Sequence, residues 1–508
     1  MAQAPLILAV DVGTSSVRAA LYDRRGRMRP ASEVSLPYRP VITADGGASV
    51  SAGRLARLVV AAVDRVLVPG AQIAAVGVST FWHSLIGLGA SGAPATPVLL
   101  WADLRSTTAL PSLRARLAAE SRAGADAVAA YHQRTGAPLH PSFWPAKLCW
   151  LAATASPARS TLWCSFADYL YLRLFGETRT SVSMASATGL WNRKRQSWDA
   201  ETLSVLRLAA GRLPEVSDAA FTRLLPRWAR RWPALATVPW FPAWGDGACA
   251  NAGSGAVSAG RLALTVGTSS ALRAVVPARR EFPLPPSLWR YALDARRHLV
   301  GGALSEGGNV YAWLRATLRF AALTDAQLER RLARLPPDEH GLTLLPFFAG
   351  ERSPGWHPER RAVIAGLSLA TTPEELARAG LEAVALQLAG VHEDLAAALG
   401  RAKFEILAGG ASLRHSDLWT QMMADALACP VTRLADAETS ARGAALLAAE
   451  RLGLGALEQA PATRDRNFLP RPGAAARFRA ARRRQRALYE RQIAPSARVD
   501  KPVGAGEQ

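Results

Sequence analysis

A chain of 508 residues is too long for one ordinary hydrophobic core, which stops growing at roughly 250–300 residues, so two or more domains are expected. Its 49% hydrophobic and 20% charged residues exclude a chain that is disordered or collagen-like throughout. The net charge of +21 rests on 57 arginines and only four lysines, spread along the chain, and reads as arginine replacing lysine on solvated faces rather than as a polyanion-binding surface.

In chain order, the apolar run Leu6 to Val10 predicts a strand, Val12-Gly13-Thr14-Ser15-Ser16 a small-residue turn, and Val17 to Tyr22 a second strand. Leu55, Leu58, Val59, Ala62 and Val66 fall on one helical stripe, followed after Pro69-Gly70 by a strand from Ile73 to Val78. Val66 to Ala102 carries no charged residue. Pro69, Gly70, Gln72, Ser79, Thr80, His83 and Pro94 interrupt it, which predicts buried strands and turns rather than a membrane span. The segment Phe241 to Gly260 is rich in Gly and Ala with Asp246 as its only charge, and predicts a boundary near residue 254. Beyond it, Leu262 to Leu264, Val266-Gly267-Thr268-Ser269-Ser270 and Ala271 to Val276 repeat the opening strand, turn and strand at an offset of 254 residues. Thr372-Pro373-Glu374-Glu375 is a capping box with Pro at the first helical position. A strand Glu405 to Ala408, the turn Gly409-Gly410 and helices from about Ser416 and Ser440 follow. Arginines between Arg477 and Arg491 interleave with Phe478, Ala481, Leu488 and Tyr489, the pattern of one amphipathic terminal helix.

Strands alternating with helices in both halves predict an α/β chain of two domains, 1–254 and 255–508, each presenting a Gly-Thr-Ser turn to a shared cleft. The four cysteines form no Cys-x-x-Cys pair and are expected as free thiols. Leu6 to Val10 is too short for a signal peptide, so a cytoplasmic location is expected, with no membrane or nucleic-acid partner and a homodimer left open.

A Gly-Thr-Ser-Ser turn offers approachable backbone N–H groups and hydroxyl donors, which is what a phosphate needs, and two such turns could grip a polyphosphate. Asp11, just before the first turn, stands where a carboxylate could hold Mg²⁺ directly or through water. No lysine follows a glycine, which excludes a P-loop. Gly87-x-Gly89-x-x-Gly92 mimics a dinucleotide fingerprint, but Ala93-Pro94 stands where its helix should open. The eight histidines form no His-Glu-x-x-His pattern and the cysteine spacing gives no zinc site. For phosphoryl transfer to an alcohol one base is needed. Asp246, a lone carboxylate on what reads as a flexible glycine-rich turn, is either that base or a turn aspartate satisfied by nearby amides.

These motifs resemble, over about residues 6 to 490, the FGGY carbohydrate kinases, members of the actin-like (ribonuclease H-like) two-domain superfamily. The matching segments are Asp11 to Arg18, Thr265 to Ser270 and Ala408-Gly409-Gly410-Ala411-Ser412, in that order. The resemblance is nearest to gluconokinases, on Trp101-Ala102-Asp103-Leu104-Arg105-Ser106, Thr135 to Pro141, Ser186 to Leu190, Gly301 to Asn309 and Gly350-Glu351-Arg352-Ser353-Pro354. Gly247 after Asp246 also fits that subgroup, whereas Trp82 stands where Met is usual.

The resemblance implies ATP and Mg²⁺ as cofactors, with Asp11 toward the metal and Asp246 as the base. It implies His83, Asp103 and Arg105 in the sugar pocket, Arg105 meeting a carboxylate, with a structural Asp103–Arg105 ion pair as the alternative, and Trp82 or Trp144 as walls or else core. Thr14, Ser15, Ser16, Gly267 and Thr268 would face the phosphates, and Gly308, Gly409, Gly410 and Arg414 the nucleoside. The implied activity is phosphorylation of a sugar acid, D-gluconate to 6-phosphogluconate. Another specificity of the family, such as a pentulose or polyol, or a non-catalytic sugar-sensing regulator, are the alternatives.

Overall fold

The computed structural model describes residues 5–68, 70–121, 123–154, 160–401, 403–436 and 438–493. Two mixed sheets organise it. The first runs β5-β4-β1-β2-β3, from β1 (Leu6–Val12), β2 (Ser16–Tyr22), β3 (Val34–Pro37), β4 (Ile73–Thr80) and β5 (Trp244–Gly245). The second runs β8-β9-β7-β6-β10-β11-β12, from β6 (Arg261–Val266), β7 (Ser270–Pro277), β8 (Trp289–Ala292), β9 (Arg297–Leu304), β10 (Glu405–Gly409), β11 (Val431–Leu434) and β12 (Arg464–Phe468). Both repeated motifs are antiparallel hairpins: Val12 pairs with Val17, and Val266 with Ser270.

Alternation along β1 and β2 sends side chains to two different cores. Leu8, Val10, Val17, Ala19 and Leu21 face helix α1 (Ala52–Val66), whose Leu55, Val59, Ala62 and Val63 are buried against them, each large apolar side chain contributing about 1.5–3 kcal/mol. Ser51 caps α1, its hydroxyl accepting from the Arg54 N–H. The uncharged stretch before Ala102 is buried strand and turn as expected, and Gly89 and Gly92 close a tight turn rather than opening a helix. No helix among the described residues is long and apolar enough to cross a membrane.

Ile7, Ala9, Ala20 and Ala75, on the opposite face of the first sheet, pack against two helices, α4 (Asp246–Ser254) and α9 (Thr439–Arg451). In the chain, α2 (Trp144–Thr154) and α3 (Phe166–Phe175) precede α4, and α5 (Gly308–Thr317), α6 (Pro373–Leu399), α7 (Ala411–Arg414) and α8 (Asp417–Leu427) lie between α4 and α9. The glycine- and alanine-rich segment around Asp246 is therefore not a flexible turn. It is a helix whose small residues let α9 approach: a Cβ on Gly253 would sit 1.8 Å from the Thr439 carbonyl, and one on Gly443 1.8 Å from that of Cys249. Thus a helix from the second half of the chain covers the back of the first sheet.

In the second half, Leu262, Leu264, Leu272 and Val300 pack on α6, which opens with the expected capping box: Thr372 Oγ1 accepts from the Glu375 N–H and the Glu375 carboxylate from the Thr372 N–H. The arginine-dense segment forms α10 (Pro472–Ile493), with Phe478, Ala481 and Leu488 buried and Arg484 and Arg486 paired with Asp338 and Glu490. All four cysteines are free.

Candidate active site

The two hairpin turns meet across a cleft. Thr14 and Ser15 from the first and Thr268 from the second line one cavity of about 520 Å³, together with Ser305, Asn309 and Arg352. Each turn is closed by its own backbone: the Gly13 N–H donates to the Ser16 carbonyl at 3.0 Å and the Gly267 N–H to that of Ser269 at 2.9 Å. A Cβ on Gly267 would meet nothing within 4 Å, so the backbone there faces open space. Ser16 differs from the expectation that it faces a phosphate. It starts β2 and does not line this cavity, and its hydroxyl is buried without a hydrogen-bond partner among the described residues.

Next to the second turn, the parallel pairing of β6 with β10 sets Gly409 beside Thr265. Gly410, at φ 98°, then turns the chain into α7 so closely under the hairpin that a Cβ would lie 2.4 Å from the Val266 carbonyl. Ser412 Oγ donates to the Gly267 carbonyl at 3.2 Å, and so does the Gly308 N–H at 2.7 Å. Gly308 and Ser412 open into a second cavity of about 240 Å³ walled by Tyr311, Leu381, Leu418 and Trp419, a slot suited to a flat apolar ring. Gly409, Gly410 and Arg414 do not line it; the glycines shape the turn beneath it, and Arg414 ends α7, exposed.

Deeper in the cleft a cavity of about 180 Å³ is lined by Trp82, His83, Asp246, Arg273, Tyr291 and Arg352 among others. Asp246 is the first residue of α4, where the helix dipole favours a carboxylate. Its Oδ1 accepts from the Gly247 N–H at 2.9 Å and from the Trp82 N–H at 3.4 Å, and Oδ2 has no partner among the described residues. Burial raises its pKa above the usual carboxylate value, with Arg273 opposing. His83 has φ 64° and sets Nδ1 2.6 Å from the Ala187 carbonyl. A carbonyl only accepts, so Nδ1 carries the proton. Burial lowers the ring's pKa to about 3, so it is neutral and its Nε2 is an acceptor.

Asp103 and Arg105 depart from their expected place in this cavity. Arg105 Nη2 donates to Asp103 Oδ2 at 2.6 Å and Nε to Oδ1 at 3.0 Å, while the Ala48 N–H takes up Oδ2 at 3.0 Å and the guanidinium lies over Trp150. The pair is spent on itself and ties the strand at Ala48 to the loop after Trp101. Trp82 walls the cavity; Trp144 is buried in the core, its Nε1–H donating to the Ser84 carbonyl.

The cations that do face the cavity are Arg273 and Arg352. Arg273, in the middle of β7, donates to Asn251 Oδ1 at 2.9 Å and Thr265 Oγ1 at 2.7 Å. Arg352 stacks on Trp101 at 4.5 Å, donates through Nη2 to the Leu304 carbonyl, and leaves its Nε buried without a partner among the described residues. Neither has a carboxylate within 4 Å among the described residues, and burial lowers both pKa values to about 10. Two legible signals existed: an arginine inside the apolar strand Ala271 to Val276, and Arg352 within a segment already noted for its resemblance.

Asp11 is buried at the end of β1, beneath the first turn. Its Oδ1 has no hydrogen-bond partner among the described residues, and Arg18 lies 3.5 Å from Oδ2 while also reaching Glu438 at 2.9 Å. Burial raises its pKa to about 6; the nearby Ser79 hydroxyl and Arg18 oppose the rise, and the charges of Glu438 and Asp246 add to it. An unpartnered carboxylate oxygen near a second carboxylate is the donor chemistry of a hard divalent cation.

The chain matches the sequence profile of the FGGY family of carbohydrate kinases, N-terminal domain, over residues 6–253, and that of the C-terminal domain over residues 262–451. It is 28% identical to a gluconokinase of Bacillus subtilis over 87% of this chain and 86% of that protein. It is 31% identical to a glycerol kinase of Alkalilimnicola ehrlichii over 92% and 94%. A gluconate kinase and a ligand-bound xylulose kinase of Lactobacillus acidophilus each superpose with a TM-score of 0.86 at 26% identity, covering 97% of this chain and 99% of theirs. A two-domain α/β fold shared with these structures, and both family profiles matched in order, make this chain a member of the FGGY family of carbohydrate kinases.

Proposed function

We propose that the protein is an ATP- and Mg²⁺-dependent kinase that phosphorylates the terminal hydroxyl of an open-chain sugar acid, D-gluconate in the first instance. The observation that carries the sugar acid is the pair of guanidiniums, Arg273 and Arg352, that face the same cavity as one carboxylate and, among the described residues, are ion-paired to none. A neutral polyol would leave the two guanidiniums with only the more distant charges of Asp246 and Glu306, whereas a substrate carboxylate supplies a direct ion pair.

Arg352, stacked on Trp101 and lining both the deep cavity and the one between the turns, is the anchor for that carboxylate. Arg273, tied to Thr265 beside the second turn, faces the phosphoryl group. His83 Nε2 accepts from a chain hydroxyl. At the other end of the sugar, Asp246 Oδ2 takes the proton of the reacting hydroxyl as its oxygen bonds to the γ-phosphorus and the bond from that phosphorus to the β–γ bridging oxygen breaks, releasing ADP. The turn amides and hydroxyls at Thr14, Ser15, Gly267 and Thr268 hold the polyphosphate, and the slot between Tyr311 and Trp419 takes the adenine. Asp11 would hold Mg²⁺, which when bound supplies charge neutralisation for the phosphates.

Replacing Arg352→Met tests the anchor. The expected result is a rise in KM for D-gluconate of at least tenfold, with KM for ATP unchanged within twofold and discrimination against glycerol and D-xylulose reduced. An unaltered KM for gluconate contradicts the assignment.

A further inference from the structure

Lys147, on α2, is fully buried. Its Nζ donates to three carbonyls from three separate segments: His83 at 3.0 Å, Leu100 at 2.8 Å and Ser142 at 2.8 Å. No carboxylate lies within 4 Å of it among the described residues, so these three bonds, helped by the more distant charge of Asp103, stabilise the buried ammonium. Burial lowers its pKa to about 7, and below that value the ammonium is the resident form. Each segment carries a wall of the deep cavity: Trp82 and His83 on the first, Trp101 beside the second, Ser142 and Phe143 on the third.

Position 147 is also unusual for this sequence. Arginine outnumbers lysine 57 to four, yet a lysine stands at the buried site. The physical reason is geometric. Three carbonyls converge on one point, which matches the tetrahedral N–H directions of an ammonium and not the planar fork of a guanidinium. One of those carbonyls belongs to His83, a β-substituted residue at φ 64°, a left-handed conformation that persists only where surrounding contacts hold it.

We propose that Lys147 is a positioning residue for the sugar pocket: by gathering these carbonyls it holds His83 in the left-handed conformation that turns its ring into the cavity. The inference rests on the reading that this cavity takes the sugar. It does not depend on which sugar that is.

Two measurements test it. In Lys147→Met, KM for the sugar rises at least tenfold while KM for ATP stays within twofold, and Lys147→Arg, which keeps the charge, does not restore it. Equal rises in both KM values, or restoration by Arg, would overturn the proposal. Should either variant fail to fold, the wild-type protein labelled with ¹⁵N-lysine decides, because four lysines give at most four Nζ signals and Lys194 and Lys403 are exposed. One slowly exchanging signal is expected to shift on addition of D-gluconate and not on addition of ADP; a protected signal indifferent to the sugar overturns the proposal. If the wild type prefers another sugar, the same measurements are made with that sugar, so failure of the gluconate reading and failure of the Lys147 role give different results.

Discussion

Half-buried Asp246 and buried Asp11 are two carboxylates that their proposed roles need ionised and that burial disfavours in that form. As the proposed base, Asp246 must be ionised to accept a proton, and burial holds its pKa above the ordinary value of 3.8. The acid limb of kcat/KM is therefore expected at higher pH than an exposed aspartate gives, with activity lost as pH falls through the raised pKa; a limb at the ordinary value contradicts the base assignment. Asp11, the proposed Mg²⁺ ligand, is the clearer case of a proposed role set against stability. Its pKa is raised from 3.8 to about 6, so the folded state binds the proton more tightly than the unfolded chain does. The cost of ionising it in the fold grows as pH rises from the unfolded to the folded pKa and is complete above about 6, on the order of 3 kcal/mol. Without Mg²⁺, Asp11→Asn should accordingly raise the melting temperature at pH 8 more than at pH 4, while abolishing kinase activity. An equal change at both pH values would remove Asp11 as the source.

At the scale of elements, the crossing of α4 and α9 carries the most consequence, because α4 begins with Asp246 and α9 lies on the back of the first sheet. Gly443→Ala would thrust a methyl into the Cys249 carbonyl, and overpacking of this kind costs about 1–3 kcal/mol. The expected outcome is a lower urea midpoint together with a reduced kcat, since relief of the clash moves α4; a variant with unchanged midpoint and kcat contradicts the close packing. This crossing also shows what the amino-acid sequence conceals. Both hairpins, α1 and the Thr372 cap were legible because each is written in local periodicity and turn chemistry. The Phe241 to Gly260 segment was not: small residues chosen for helix contact look the same in sequence as small residues chosen for flexibility. Only the partner helix, far along the chain in the second half, tells them apart.

For the molecule as a whole, the Asp103–Arg105 pair and the Arg273–Arg352 pair make the same point about charge. All four are buried or half-buried, and the family resemblance implied the first pair as the substrate contact. Neighbouring opposite charges two residues apart satisfy one another, as Asp103 and Arg105 do. Arg273 and Arg352, far apart in the sequence and ion-paired to no carboxylate among the described residues, are left to meet a ligand across the cleft. Most of the surplus positive charge is unrelated to this. Along α10, Arg484 and Arg486 pair with carboxylates at the surface, as solvated arginines do. The central claim, that this cleft is built for a sugar acid, is tested most directly by kcat/KM for D-gluconate, D-xylulose and glycerol, measured side by side by ATP-dependent ADP release. A preference for D-gluconate of at least a hundredfold over both neutral substrates is the predicted result; equal or higher kcat/KM for either neutral substrate would contradict it.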